Sequence, residues 1–395
     1  MTLRPILYIT GILLLILGIS LTIPLLVDVY LGHDDWRIFF VCIIITMFFG
    51  GAFYLSNAGY EENLGVREAF LLSVLSWFMV ALVGALPFWL CALNLSFTDA
   101  LFESVSGITT TGSTVIEGIE TAPPGILLWR AILQWLGGIG IIVMALSVLP
   151  FLKVGGMQLF RAESSQNEKV MPRVAKLSSS IGIIYLGLTI LCAICYKLSG
   201  LSIFDAVAHA MTTVATGGFS TFDASIGKVQ NLGVELTAIT FMIAGALPFV
   251  LYLKCITGNP KSLIKDVQVH AFFAILVAAI IMMTLYLVVA NGVHLLDALR
   301  LSGFNVTSIM TGTGYTSTDF GLWGPFAVHL FFFVMVVGGC AGSTTCGIKV
   351  FRFQVLYSVA SVQMKKLLHP HGVFLPRYNG KPLPEGVAFI VFNGA

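Results

Sequence analysis

Three stretches decide the fold of this chain: Phe97-Thr-Asp-Ala-Leu-Phe-Glu-Ser-Val-Ser-Gly-Ile-Thr-Thr-Thr-Gly112-Ser-Thr, Phe204-Asp-Ala-Val-Ala-His-Ala-Met-Thr-Thr-Val-Ala-Thr-Gly-Gly218-Phe-Ser-Thr and Leu301-Ser-Gly-Phe-Asn-Val-Thr-Ser-Ile-Met-Thr-Gly-Thr-Gly314-Tyr-Thr-Ser. Set on Gly112, Gly218 and Gly314, they align without gaps. Asp99 and Asp205 each lie thirteen residues before their glycine, and Glu103, His209 and Asn305 lie nine before. Each stretch joins an amphipathic segment of about 10–12 residues, too short to cross a bilayer, to a loop of Thr and Gly. Long apolar segments flank all three, so a unit of span, short helix, Thr-Gly loop and span recurs about every 100 residues. One such loop reads as an ordinary external turn; three in register do not.

The unit has a specific chemistry. Non-helical backbone at membrane depth is tolerated only where it is buried in protein or lines water. Glycine permits φ > 0, so successive carbonyls can face one axis, and rings of carbonyls replace the hydration shell of an ion. Short helices whose C-terminal ends face that axis favour a cation over an anion. The expected ion-binding backbone is Thr110, Thr111, Gly112, Thr216, Gly217, Gly218, Gly312, Thr313 and Gly314, with a monovalent cation as the ion. Glu103 and His209 are expected to be hydrogen-bonding groups behind these loops rather than ion ligands.

Composition agrees with this reading. The chain has 395 residues, 57% hydrophobic and 10% charged, with mean hydropathy +0.95, where soluble domains carry about 25% charged residues. The fold class is therefore all-α, a polytopic membrane protein of pseudo-symmetric helix–re-entrant pore helix–filter loop–helix repeats, as in potassium channels. A net charge of +2 gives no reason to expect a nucleic-acid partner. The seven cysteines fall mostly in apolar segments, and Cys192-Ala-Ile-Cys195, mid-span and without a second pair, reads as packing. No metal-ligand spacing and no cofactor motif stands out; Gly137-Gly-Ile-Gly140 lies in apolar helix and follows no strand, so it is not read as a dinucleotide loop.

Eight spans can be drawn, at 5–30, 37–57, 69–93, 126–152, 178–199, 232–255, 269–292 and an interrupted 324–363. If they alternate, sixteen of the 21 Lys and Arg share one side: Arg4, Arg67, Lys153, Arg161, Lys169, Arg173, Lys176, Lys254, Lys261, Lys265, Lys349, Arg352, Lys365, Lys366, Arg377 and Lys381. Arg37, Arg130, Lys197, Lys228 and Arg300 face the other. The positive-inside rule places both termini in the cytoplasm.

The last span is broken by Gly338, Gly339, Cys340, Ala341, Gly342, Ser343, Thr344, Thr345, Cys346 and Gly347, whose four glycines in ten positions cannot sustain a helix. We read 338–347 as a movable constriction, with close helix packing through small residues as the alternative. Lys349 and Arg352 follow it and are candidate gate or electrostatic residues, or else snorkel to an interface. Arg130, near the outer end of span four beside Gln134, is expected to snorkel.

At these residues the chain resembles the potassium-uptake subunits of the Trk/Ktr/HKT superfamily, the bacterial TrkH type in particular. The resemblance rests on 109–114, 215–221, 313–316, 338–344, Ile348-Lys-Val, Gln134-Trp-Leu-Gly-Gly-Ile-Gly-Ile and Gly155-Gly-Met-Gln-Leu-Phe-Arg161-Ala-Glu. It implies filter glycines at Gly112, Gly218 and Gly314, an intramembrane gating loop at 338–347, a homodimer in the bacterial inner membrane, and a cytosolic nucleotide-binding regulatory subunit of the TrkA type. Potassium and membrane lipid are the other implied partners. The expected organisation is a two-span extension (1–62), pore repeats at 63–176, 177–266 and 267–366, and a segment 367–395 that opens a fourth repeat the chain does not complete. Two rival readings accompany this one: a membrane-embedded enzyme, disfavoured by scattered histidines, and a nonconducting remnant that only dimerises or binds the regulatory subunit.

Overall fold

The computed structural model describes residues 3–59, 66–147 and 170–383. Lys153, Arg161, Lys169, the 155–163 motif and the apolar 386–392 run lie outside the described residues. Among those described, six helices are long and apolar enough to cross a membrane: Arg4–Leu31, Trp36–Ser56, Phe70–Leu90, Pro124–Ile142, Leu177–Leu198 and Val267–Asn291. Helix is the natural form for these runs, since it satisfies every interior backbone group where water is absent.

The expected sixth span is not one rod. Leu232–Ala246 and Phe249–Ile256 meet at 92°. Pro248 lies at the break; it has no N–H, and its ring would clash with the carbonyl four residues back in a continuing helix. The eighth divides as its glycines predict, into Pro325–Val336 and Val350–Leu368.

The pore helices are Phe97–Ile108, Ile203–Val214 and Leu295–Thr311, of 12, 12 and 17 residues. The first two start at a capping box: Ser96 and Ser202 accept from the amides of Asp99 and Asp205 at 3.1 and 3.0 Å, and their hydroxyls donate back to the same carboxylates. The third repeat has Ala298 and Leu301 at those positions. Nothing there stops the helix, which begins six residues before Leu301, at Leu295, longer than its sequence stretch indicated.

Backbone proximity divides the chain into two compact units. One comprises Met1–Gly140, Thr189–Val234 and Thr313–Ser317. Its core includes Leu14, Phe39, Phe88, Trp129 and Leu133. There Asp28 Oδ1 accepts from the Gly125 amide at 2.7 Å and caps the helix Pro124–Ser147. The other comprises Ile141–Leu188, Glu235–Gly312 and Thr318–Ala395. Its core is built on Phe272, Leu276, Met283, Trp323 and Phe331. In it Arg300, on the third pore helix, binds Glu235 through two hydrogen bonds of 2.7 Å.

Candidate ion filter and intramembrane loop

The three Thr-Gly loops share one backbone conformation. Gly112, Gly218 and Gly314 have φ of +83, +80 and +83°. The residues two before them are left-handed as well: Thr110 at +56°, Thr216 at +51° and Gly312 at +72°. The left-handed glycines follow the sequence argument; the threonines do not. A β-branched residue there costs about 1–2 kcal/mol, strain of the kind that persists where surrounding structure over-determines a functional backbone. The restraint is visible. The amides of Thr110, Thr216 and Gly312 donate to Gly107, Thr213 and Ile309 carbonyls at 3.0, 3.0 and 3.1 Å. Those of Thr111 and Gly217 donate to Ser106 and Thr212 at 2.9 and 2.8 Å.

The loops also meet. A Cβ on Gly112 would strike the Gly217 carbonyl oxygen and lie 3.6 Å from that of Thr313. A Cβ on Gly218 would strike the Thr313 carbonyl oxygen, whereas one on Gly314 finds nothing within 4 Å among the described residues. Glycine is thus required at the first two positions for close carbonyl approach as well as for φ. Thr110, Thr216 and Thr313 are buried, while Thr111 is exposed, its hydroxyl 2.8 Å from that of Thr109.

Behind the loops stands a polar brace. Glu103 accepts from Thr114 Oγ1 at 2.9 Å and from the Val115 amide at 3.2 Å. His209, at the same place in the second repeat, pairs through Nε2 with Ser220 Oγ at 2.9 Å. Both tie the ninth residue before the glycine to the second residue after it. Tyr315 reaches the second pore helix, its hydroxyl 3.2 Å from Thr213 Oγ1 and bonded to Thr212 Oγ1.

Arg130 does not snorkel. It is 1% exposed, with Nε 2.7 Å from Glu103 Oε1, Nη1 donating to the Ser220 carbonyl at 3.0 Å, and its guanidinium 4.1 Å from the Phe219 ring centre. One turn on, Gln134 donates to the Gly217 carbonyl at 2.7 Å and accepts from the Phe219 amide at 3.0 Å. The spacing of four puts both side chains on one helix face, the one signal that could have paired them in advance. The Gly137 that resembled a nucleotide loop is a packing glycine: a Cβ there would strike the Ile108 carbonyl at the end of the first pore helix.

The 338–347 segment is a closed loop. Val337 and Ile348 form a parallel bridge, and the Gly338 and Ile348 amides donate to Ile348 and Val336 at 3.0 and 2.9 Å. Gly342 and Gly347 are left-handed, at +77 and +79°. Cys340 and Thr344 donate through their amides to Ala246 and Gly245 at 3.0 and 3.2 Å, and Phe249 donates to the Gly342 carbonyl at 3.0 Å. The bend at Pro248 leaves helix-end groups without intrahelical partners, and the loop supplies them. Gln268 Oε1 takes the Ala341 amide at 3.0 Å. Inside the loop, Ser343 Oγ donates to the Cys340 carbonyl at 2.6 Å, and Gly339 donates to Thr345 Oγ1 at 3.1 Å. Lys349 turns into the loop rather than away: its Nζ donates to the Thr345 carbonyl and, at 3.1 Å, to Thr345 Oγ1. Arg352 lies in the first turn of the helix that follows. Gly312 abuts the loop, where an added Cβ would be 3.2 Å from Cys346 Cβ.

Apolar spans, re-entrant helices and carbonyl-lined loops together define a membrane protein that transports cations. The chain belongs to the TrkH family of cation transport proteins, which matches residues 35–393. It is 43% identical over 385 residues to the Trk system potassium uptake protein TrkI of Halomonas elongata, covering 97% of this chain and 78% of that one. It is 35% identical to the Escherichia coli TrkH potassium uptake protein, over 99% of this chain and 82% of that one. The crystal structure of the potassium transporter TrkH from Vibrio parahaemolyticus superposes with a TM-score of 0.92 at 36% identity, covering 100% of this chain and 82% of that one. The family is one of transporters, not enzymes.

Proposed function

We propose that the chain takes up potassium across the bacterial cytoplasmic membrane, through a filter built from residues 110–112, 216–218 and 312–314. The observation that carries this reading is the left-handed pair repeated in three loops, with Gly112 and Gly218 admitting the carbonyls of Gly217 and Thr313 from the neighbouring loops. Uncharged oxygens at such spacing suit a monovalent cation. Inward movement of the charge gains about 2.3 kcal/mol per 100 mV. The repeats are 63–176, 177–266 and 267–366, after the extension 1–62. Similarity to potassium uptake proteins along nearly the whole chain favours transport over a nonconducting remnant.

The gate is the loop 338–347. Support comes from its glycines, its seat on a bent helix and the contact of Cys346 with Gly312, which opens the third filter stretch. Lys349, with Arg352 beyond it, supplies the charge at this loop. The protein works as a homodimer with both termini cytoplasmic, regulated by a nucleotide-binding subunit of the TrkA type, in keeping with the basic residues on that face.

Rubidium tracer uptake by liposomes holding the purified chain tests the proposal, with Gly218→Asp as the control. Uptake that depends on Gly218 supports it. Uptake indifferent to that substitution removes the loop from the ion path.

A further inference from the structure

Gln134 has no exposed surface, and both ends of its carboxamide are bonded. Its Nε2 donates to the Gly217 carbonyl at 2.7 Å, and its Oε1 accepts from the Phe219 amide at 3.0 Å. The two bonds fall on either side of Gly218, and a Cβ on Gly217 would overlap the carboxamide itself. The Gly217 oxygen is also the atom that a Cβ on Gly112 would strike. The group that fixes this oxygen therefore fixes the approach of the first two loops.

We propose that Gln134 is a positioning residue for ion discrimination: its carboxamide clamps the Gly218 segment from both sides and sets where the Gly217 carbonyl stands. The proposal rests on the filter reading above. Gln is suited to the task because a neutral amide both donates and accepts, leaving no charge beside the ion path. Rotating the Gly217 peptide breaks the first bond, and displacing the turn after Gly218 breaks the second. Discrimination between ions depends on the spacing and number of such carbonyls, so the clamp acts on preference and not on stability alone. Arg130, four residues earlier, holds the Ser220 carbonyl and lies over the Phe219 ring, so that one helix face grips Gly217, Phe219 and Ser220 around Gly218.

The test is ion-dependent thermal unfolding of the purified chain in detergent, titrated with KCl and with NaCl, since a ligand that binds only the folded state raises the midpoint. Gln134→Glu keeps an acceptor and loses the donor; Gln134→Met keeps the volume and loses both, which guards against a variant that fails merely from poor packing. In each, the apparent potassium Kd is expected to rise about tenfold, the scale set by leaving a buried carbonyl unpaired, while the sodium value moves less than about twofold. Variants that melt lower yet keep the native preference for potassium overturn the proposal and leave Gln134 a purely structural residue. The filter reading is checked separately by Gly218→Asp: if that variant responds to potassium as the native chain does, the filter assignment fails, and the role of Gln134 with it.

Discussion

Arg130 Nε lies 2.7 Å from Glu103 Oε1, and both side chains are sealed from solvent. One belongs to the spanning helix Pro124–Ser147 and the other to the first short helix, Phe97–Ile108, so the pair fastens these two helices together. The carboxylate also receives Thr114 and Val115 from the segment beyond Gly112. Removing one partner strands a buried charge, which costs about 3–5 kcal/mol. Glu103→Ala and Arg130→Met should each lower the unfolding midpoint markedly in detergent. The double variant should recover part of the loss, with the remainder reflecting the hydrogen bonds to Thr114, Val115 and Ser220. Strictly additive losses would show that the two residues act independently.

The glycines should rank by surroundings as well as φ. Gly314→Ala meets open space and bears only the left-handed strain of about 1–2 kcal/mol. Gly112→Ala and Gly218→Ala also collide with neighbouring carbonyls and should destabilise more. Gly112→Ser should in addition lower the ratio of potassium to sodium uptake. Flux ratios and unfolding midpoints measured across the series check both statements.

Lys349 should hold the 338–347 loop shut. Lys349→Met removes the bonds to Thr345. Resting rubidium uptake is expected to rise severalfold, and the buried Cys340 thiol to react with N-ethylmaleimide about tenfold faster, as a loss of roughly 1.4 kcal/mol would allow. Unchanged labelling would show that the loop stays closed without the ammonium group.

The capping boxes should matter where they exist. Ser96→Ala and Ser202→Ala should each cost about 1 kcal/mol, read as a fall in the thermal midpoint. Ala298→Ser, inside the longer third pore helix, should give no comparable gain.

Local pattern determined much of this protein. Gap-free spacing around Gly112, Gly218 and Gly314 specified the repeat, because glycine at φ > 0 and short amphipathic helices are written in consecutive residues. The glycines of 338–347 likewise specified a broken span. The caps at Ser96 and Ser202 were not read from the sequence and emerged with the structure; the third repeat lacks them, and its helix is longer. What only the tertiary structure decided are relations between distant residues. Arg130 looked like an interfacial arginine because its partners, Glu103 and Ser220, are 27 and 90 residues away. The bend at Pro248 looked like part of one span because the loop that satisfies Gly245 and Ala246 lies about a hundred residues on. Thr110 and Thr216 take a conformation their side chains disfavour, since hydrogen bonds to the last turn of the pore helix together with tertiary packing of the buried side chains outweigh a local cost of about 1–2 kcal/mol. Periodicity encodes which backbone can bend; only packing decides which charges and carbonyls are brought together when it does.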